Sequence, residues 1–356
     1  MTFEVTNVQT TETQSNKPTV NFDELNSYVV NTCQLQQPET LLGVVSVIAD
    51  LGTQKLPDAE YDLDKEDEGL SIEELTAKHS DMLAENHPAD RQVGKITKFG
   101  KSYDGMKKEW VIRKFVKQAD RQAVAMAIDF PDIMLDKGQF FGETESNPKP
   151  LRLWLGGQYW NKFIGEKGKM LIQNVIPLKV TNIAQPPAKV WSMNPKSVPH
   201  KMAVAAKIVE TGEAFLPQDI DKLLGKTLQF KAQVFFNKGK DGKQYYTEKV
   251  SFAAGLARGQ TERQVDKTYL IQFNKENDLQ ALKELRAHVI NTIEQATNYE
   301  GSVIQKQLAE LRGGAVNNGE TTSVSNTSTP KQQAVKQPIS TAVPEESYVD
   351  DESLPF

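Results

Sequence analysis

The sequence contains little cysteine, little histidine and no long apolar run, and each scarcity excludes a class of protein. The only cysteine, Cys33, cannot form an intramolecular disulfide, and we expect an inert, half-buried thiol in a reducing cytoplasm. One cysteine and four scattered histidines cannot compose a zinc site. The longest apolar stretches, such as residues 41–49, are too short to span a bilayer. Residues 1–21 lack the apolar core of a secretory signal.

Signatures of catalysis and of metal binding are incomplete. Residues 225–227 (Gly-Lys-Thr) resemble the end of a phosphate-binding loop, but the glycine that such a loop requires further upstream is missing. Acids between residues 62 and 73 have the spacing of EF-hand ligands. Because Asp67 occupies the position of the obligatory glycine, a solvated acidic loop is favoured over a weak cation site. Asp129 and Asp132 are interpreted as turn residues rather than nuclease carboxylates. We therefore expect no catalytic activity, no cofactor and no metal.

The formal net charge of −5 conceals an uneven distribution of charge along the chain. Residues 91–258 contain 29 Lys and Arg against 15 Asp and Glu, a local excess of +14. Residues 57–90 contain two lysines against twelve acids, and residues 313–356 contain two lysines against six acids. A basic body with acidic appendages indicates a protein that attracts polyanions and whose acidic segments compete for the same surface.

Short β-branched or aromatic runs, separated by Gly, Pro and Asn turns, predict a mainly β protein with a barrel or sandwich. Residues 50–54 are predicted to be a turn that ends the first strand, and residues 103–105 the turn of a hairpin. Ser71 is the predicted N-cap of a helix in the acidic stretch, and leucines at helical spacing predict a helix or helical pair in residues 278–311. The predicted strands are residues 41–49, 94–99, 110–117, 123–130, 151–155, 170–179, 227–237 and 244–253.

The most specific pattern is the end of the chain, where a tether poor in large apolar residues leads to acids and then to Leu-Pro-Phe. Such a peptide can insert its terminal phenyl ring into an apolar pocket while its α-carboxylate pairs with Arg or Lys of a partner. The proline restricts the backbone, and the acids steer the peptide toward basic surfaces. The predicted partner-binding residues are Asp350, Asp351, Glu352, Leu354, Pro355 and Phe356.

This ending resembles the C-terminal tip of bacterial and bacteriophage single-stranded DNA-binding proteins, in which a run of aspartates precedes Ile or Leu and then Pro-Phe. Ser353 departs from that pattern, since an aspartate is usual there. The resemblance implies that the tip recruits replication and repair proteins and can fold back on the DNA site. Residues 50–54 and 223–226 are similar to parts of phage-type domains of the OB class. That similarity implies an OB-fold-like barrel with insertions over residues 40–260, with two OB-like units in tandem as the alternative.

The expected organisation is therefore an OB-like body followed by a C-terminal helical segment and a disordered tail. A divergent body joined to a bacterial-style tip favours a phage-encoded protein in the bacterial cytoplasm. The expected segments are a disordered N-terminus (1–20), the DNA-binding body (21–260) with an acidic insertion (about 57–90), the helical segment (261–312), a disordered linker (313–346) and the acidic tip (347–356).

The DNA-binding surface is predicted mainly on the hairpin of residues 229–252. On each of its strands, alternation collects lysines and aromatic rings on one face, which suits stacked bases and tracked phosphates. Residues 110–117 show the same alternation, with Trp110 on the face turned to the core. Trp154, Trp160, Trp191 and the pair Phe140-Phe141 are also interpreted as core rings. The predicted DNA-binding residues are Arg113, Phe115, Lys117, Lys231, Phe235, Lys238, Lys240, Lys243, Tyr245 and Lys249.

The function expected from these patterns is to bind and protect single-stranded DNA, without strong sequence preference, during replication, recombination and repair. The tip would recruit partner proteins to that DNA. The alternative is a recombination mediator or annealing accessory protein that carries the same tip. A second, more distant alternative is a replication enzyme whose active site the sequence patterns do not reveal. The oligomeric state stays open.

Overall fold

The computed structural model describes residues 20–156, 158–164, 168–183, 190–238, 242 and 244–313. In these ranges the protein is mainly β, with antiparallel sheets and several helices. The strands are β1 (Glu39–Gln54), β2 (Ala59–Asp62), β3 (Ile96–Asp104), β4 (Glu109–Val116), β5 (Arg121–Leu135), β6 (Lys149–Leu155), β7 (Gln158–Ile164), β8 (Gly168–Asn174), β9 (Ile176–Pro177), β10 (Val180–Asn182), β11 (Trp191–Met193), β12 (Thr227–Lys238), β13 (Gln244–Ala254) and β14 (Tyr269–Ile271). The α-helices are α1 (Phe22–Cys33), α2 (Ile72–Lys78), α3 (Val198–Ala205), α4 (Leu279–Lys283), α5 (Ala287–Glu294) and α6 (Val303–Leu311).

The main sheet is built around β1, a 16-residue strand rich in β-branched residues. Its hydrogen-bonded order is β13-β12-β1-β5-β6, with β14 added to β1 and β9 to β5. Within this sheet β1, β5 and β6 follow one another, and β12 returns through a long connection to lie on the other side of β1, which is a Greek key. The edge strands β6 and β13 have Cα atoms within 8 Å of each other. They are not hydrogen-bonded neighbours in the described part of the chain, so the sheet is curled but not a closed barrel.

The two faces of the main sheet bury different cores. The inner face carries large side chains, including Met126, Ile128 and Phe230, which pack against α1 and α3. The outer face of β1 and β5 carries small residues, including Ala125 and Ala127, on which the C-terminal helices pack. Small side chains let the helices approach the strands closely, and burial at about 25 cal/mol per Å² of apolar surface stabilises the contact. The helical segment is therefore integral to the fold.

Ionic contacts join the C-terminal helices α4, α5 and α6 to the main sheet. The guanidinium of Arg152 on β6 donates to both carboxylate oxygens of the buried Asp129, at 2.6 and 2.8 Å, and to Glu284 beyond α4 at 2.5 Å. Arg286 donates to the carbonyl oxygen of Arg152 at 2.6 Å and pairs with Glu248 on β13. Because buried charges are tolerated only when paired, these residues specify how the helices sit on β6 and β13.

An insertion between β1 and β5 forms a second sheet, in the order β2-β4-β3. Its core comprises Leu75, Leu83, Ile96 and Phe99. The predicted N-cap is confirmed: Ser71 accepts from the backbone N–H of Glu74, and the Glu74 carboxylate accepts from the N–H of Ser71. The insertion spans residues 55–120, so it is larger than the acidic stretch 57–90 and contains both strands of a hairpin that the sequence assigned to the body.

Three local predictions need correction. Residues 50–54 do not end the first strand, because β1 continues to Gln54 through an irregularity in its pairing with β5, where Gly52 has φ 72°. Asp129 and Asp132 lie inside β5, not in a turn, and pair with Arg152 and Arg263. The C-terminal segment contains three short helices rather than one or two.

Two further expectations have outcomes in the described residues. Cys33 is buried, and burial raises the pKa of its thiol to about 11, which keeps it protonated and unreactive. Among the described helices, none combines the length and apolarity that crossing a membrane requires.

Candidate nucleic-acid interface

The hairpin β12–β13 separates two kinds of side chain onto its two faces. Direct cross-strand pairs share a face, so the register Phe230↔Phe252 through Asn237↔Tyr245 assigns every residue. The inner-face residues are Phe230, Ala232, Val234, Phe236, Tyr246, Glu248, Val250 and Phe252. The outer-face residues are Lys231, Gln233, Phe235, Asn237, Tyr245, Thr247, Lys249 and Ser251. The alternation predicted from the sequence is therefore present, and Lys231 of β12 lies on the same face as Lys249 of β13, whereas Lys238 follows the parity of the inner face.

The outer face combines cations with aromatic rings. The ammonium of Lys249 lies 5.5 Å from the centroid of the half-buried Phe235 ring. Lys231 and Lys249 are exposed, and neither forms a salt bridge with a described residue. A cation over a ring supplies about 0.5–1 kcal/mol at an exposed site. The arrangement offers a ring for stacking and two uncompensated charges for phosphates.

Contacts of the inner face fix the position of the hairpin and so of its outer-face residues. Phe230, Ala232 and Val234 are fully buried. The hydroxyl of Tyr246 donates to Glu248 at 2.6 Å, and Glu248 pairs with Arg286. Burial, followed by the neighbouring Glu248 carboxylate, raises the pKa of Tyr246 far above its usual range. The hairpin is therefore anchored through its inner face, while Lys231, Lys249 and Ser251 of the outer face are exposed.

The predicted loop lysines are only partly described. Lys238 ends β12 as an exposed residue. Lys240 and Lys243 lie outside the described residues, as do the predicted partner-binding residues between 350 and 356.

The structure places Arg113, Phe115 and Lys117 away from the hairpin, in the sheet of the insertion. Phe115 is buried, so its ring is not available to bases. Three carboxylates surround Arg113, with nitrogen–oxygen distances of 3.6, 3.1 and 3.3 Å. They come from Glu60, Asp62 and Asp104. The Lys117 ammonium donates to the side chain of Gln92 at 2.7 Å. Of the expected basic face, Arg113 is thus neutralised and Phe115 is buried, while Lys117 keeps its charge beside a neutral amide.

The prediction that Trp110 lies in the core is wrong. Its side chain is 64% exposed, and it meets Tyr103, which is 49% exposed, with ring centroids 5.6 Å apart. Met106 in the turn between them is 84% exposed. The alternation with Ile112 and Val116 correctly placed Trp110 on the core-bearing face. The core below that face stops short of Trp110, which periodicity cannot reveal.

The other aromatic rings predicted to lie in the core include both buried and exposed ones. Trp154 is buried in the helix-covered core, and Phe140 packs on Tyr28 with centroids 5.3 Å apart. Trp191 is 55% exposed and Phe141 is 49% exposed, which contradicts the prediction for both. The side chain of Trp160 lies outside the described residues.

Of the four acids with EF-hand-like spacing, Asp62, Asp64, Glu66 and Glu73, the first two are paired with cations, as is Asp67 at the position of the glycine. Asp62 contacts Arg113 at 3.1 Å, and Asp64 contacts Lys114 at 2.9 Å. The buried Asp67 contacts Lys78 at 2.7 Å. Among the described residues, no group of three or more His, Cys, Asp or Glu side chains could hold a metal ion.

Comparison with known proteins finds no matching family model, no matching curated protein and no matching solved structure.

Proposed function

We propose that this protein binds single-stranded DNA without strong sequence preference, through the outer face of the hairpin β12–β13. The observation that carries the proposal is the shared face of Lys231, Phe235 and Lys249, on which both lysines are exposed and Lys249 lies over the Phe235 ring. Every base has a π-face, so a ring on such a surface stacks bases of any sequence, at about 1–3 kcal/mol per base. Lysines without acidic partners contact phosphates at whatever spacing the strand presents.

The fold supports a specific version of this proposal. We propose that the curled Greek key, which stops short of closure, is an OB fold. OB folds commonly bind nucleic acid on the face of their second and third strands. Here those strands are β5 and β6, whose outer face carries Ala125, Ala127 and Trp154 under the C-terminal helices. The proposed strand therefore lies on β12–β13, the part of the outer surface that the helices leave free.

The distribution of charge supports the same surface. Asp129 and Glu248, two acids of the main sheet, are both paired with arginines. The described lysines of the hairpin, Lys231, Lys238 and Lys249, form no salt bridge with a described residue. Lysines that contribute to the local excess of +14 in residues 91–258 consequently lie on the outer face without acidic partners among the described residues.

The C-terminal tip is proposed to recruit replication and repair proteins to the bound strand. This part of the proposal rests on the acids and Leu354-Pro355-Phe356 of the sequence. A terminal ring and carboxylate form a compact recognition element, and the tether lets it reach a partner while the body holds DNA.

The test is a titration of fluorescent oligothymidine against a duplex of equal length, with the full chain and with a chain lacking residues 347–356. We expect strong preference for the single strand, kept or improved by the truncation, and loss of affinity as salt rises. Equal affinity for the duplex would favour an annealing or mediator role. Absence of binding to either nucleic acid would refute the proposal.

A further inference from the structure

The tip of the β3–β4 hairpin carries a second set of exposed rings, on a different sheet from β12–β13. Tyr103 and Trp110 are a direct cross-strand pair, and Met106 lies in the turn that joins their strands. The planes of the two rings are inclined by 65°. Exposed Trp, Tyr and Met side chains grouped in this way are unusual on a free surface and indicate a binding site.

The charges around these rings are predominantly positive and unpaired. Lys101, Lys107 and Lys108 are exposed, and none forms a salt bridge with a described residue. The carboxylate of Asp104 accepts from the backbone N–H groups of Met106 and Lys107, at 2.9 and 3.1 Å, and pairs with Arg113 at 3.3 Å. Glu109 is the remaining acid between residues 101 and 110.

The same contacts preorganise the turn. The backbone N–H of Lys107, more than any other contact, lowers the pKa of Asp104, so the carboxylate stays charged and holds the turn at neutral pH. Lys108 has φ 55°, a conformation that a non-glycine residue keeps only when its surroundings impose it. A fixed turn presents its rings and lysines with little entropy left to lose on binding.

We propose that this tip is a second contact for single-stranded nucleic acid, which binds the same strand as β12–β13 and so rests on the proposed function. Lysine is depleted from the cores of protein–protein interfaces, whereas lysines interleaved with rings are what a single strand requires. The chemistry of the tip therefore favours a nucleic acid over a protein partner. Phosphates contact Lys101, Lys107 and Lys108, and a base stacks on Trp110 or Tyr103.

The two contacts belong to opposite ends of β1. The strand β12 pairs with residues 39–44 of β1, whereas the insertion leaves after Gln54 and returns at Arg121, which pairs with Gln54. Measured along β1 at about 3.3 Å per residue, the stretch from Thr40, which pairs with Lys231, to Gln54, where the insertion departs, is about 45 Å long. A stacked strand at about 3.4 Å per nucleotide covers that length with roughly 13 nucleotides. Short oligonucleotides therefore occupy one contact, and long ones engage both.

The experiment measures affinities for oligothymidines of about 6 and about 30 nucleotides, on either side of that length. The variants are Tyr103→Ala/Trp110→Ala at the tip, Phe235→Ala on the outer face of β12–β13, and Phe22→Ala as a control. Phe22 is 62% exposed at the start of α1, beside Asp23 and Glu24, where no nucleic-acid contact is proposed. Thermal melting checks that each variant is folded.

We expect the tip variant to lose about 5- to 100-fold in affinity for the long oligonucleotide and to bind the short one as the wild type does. Trp110→Phe keeps a ring and should bind nearly as the wild type does. Lys101→Gln/Lys107→Gln/Lys108→Gln should reduce the slope of log affinity against log salt by about 2 for the long oligonucleotide alone, at about 0.7 per lost phosphate contact.

The outcomes separate this inference from the proposed function. If wild type binds and Phe235→Ala weakens binding, but the tip variant matches the Phe22 control at both lengths, the second contact is refuted and the tip is a surface for proteins. An equal loss at both lengths also overturns it, because the tip would then belong to a single site. If wild type binds neither oligonucleotide, the proposed function itself fails, and this inference with it.

Discussion

Two adjacent phenylalanines, Phe235 and Phe236, allow binding and stability to be tested separately. Phe235 lies on the outer face of β12, with Lys249 over its ring. Phe236 lies on the inner face against Tyr246, with ring centroids 6.4 Å apart, and packs on the core of the main sheet. Alanine at position 235 removes a phenyl ring from the outer face of β12, and alanine at position 236 removes one from the inner face.

The magnitudes follow from these surroundings. Phe235→Ala removes the ring on which one base stacks. The lost stacking free energy is about 1–3 kcal/mol, which corresponds to a roughly 5- to 150-fold weaker complex with oligothymidine. It also removes the cation–π contact with Lys249, so the free energy of unfolding falls by about 0.5–1 kcal/mol. Phe236→Ala removes a partly buried core ring, and we expect a loss of about 2–3 kcal/mol of stability, below the range for a fully buried one. The folded Phe236→Ala protein should keep the affinity of the wild type.

Fluorescence anisotropy with labelled oligothymidine gives the affinities, and urea unfolding gives the stabilities. Phe235→Trp serves as a control, since it keeps a ring on the outer face and should bind at least as tightly as the wild type. An unchanged affinity in Phe235→Ala would refute the assignment of the binding face. A larger loss of affinity in the folded Phe236→Ala protein would do the same.

Three more predictions concern charge, pH and backbone. Lys231→Gln/Lys249→Gln should reduce the slope of log affinity against log salt by about 1.4, measured by titrations at several salt concentrations. Burial lowers the pKa of His288 from 6.5 to about 4, so the unfolded chain takes up a proton at a higher pH than the folded one. The free energy of unfolding should therefore fall by up to about 3 kcal/mol as pH drops from 6.5 to 4. The free energy of unfolding of His288→Gln, measured in urea, should not show this fall. Gly52→Ala should destabilise the protein by about 2–4 kcal/mol in urea, because φ there is 72° and an added Cβ would lie 2.3 Å from Phe273.

Sequence patterns that act over a few residues predicted local structure well. The alternation of β12 and β13 assigned their faces correctly, because side chains of a strand change sides at every residue whatever the strand packs on. The capping box at Ser71 was likewise recognisable, since all its hydrogen bonds join residues three positions apart. The unequal charge of body and appendages is a property of composition alone.

Tertiary structure decided which of these faces are covered. Arg113 and Phe115 alternate as the sequence indicates, but Glu60 and Asp62 approach Arg113 from β2, about fifty positions earlier in the chain. Trp110 shares a face with core residues, yet it is 64% exposed because the core ends before it. These outcomes depend on contacts between distant segments, which no local period encodes.

The sequence by itself determined the lysine–aromatic face of β12–β13 and the acidic ending, because each is written in consecutive or alternating residues. Only the tertiary structure decided that the C-terminal helices pack on the outer face of β1 and β5. It alone placed Tyr103 and Trp110 together at the end of a separate sheet. The physical reason is that alternation fixes the side of a strand, whereas burial is fixed by whichever distant element packs on that side.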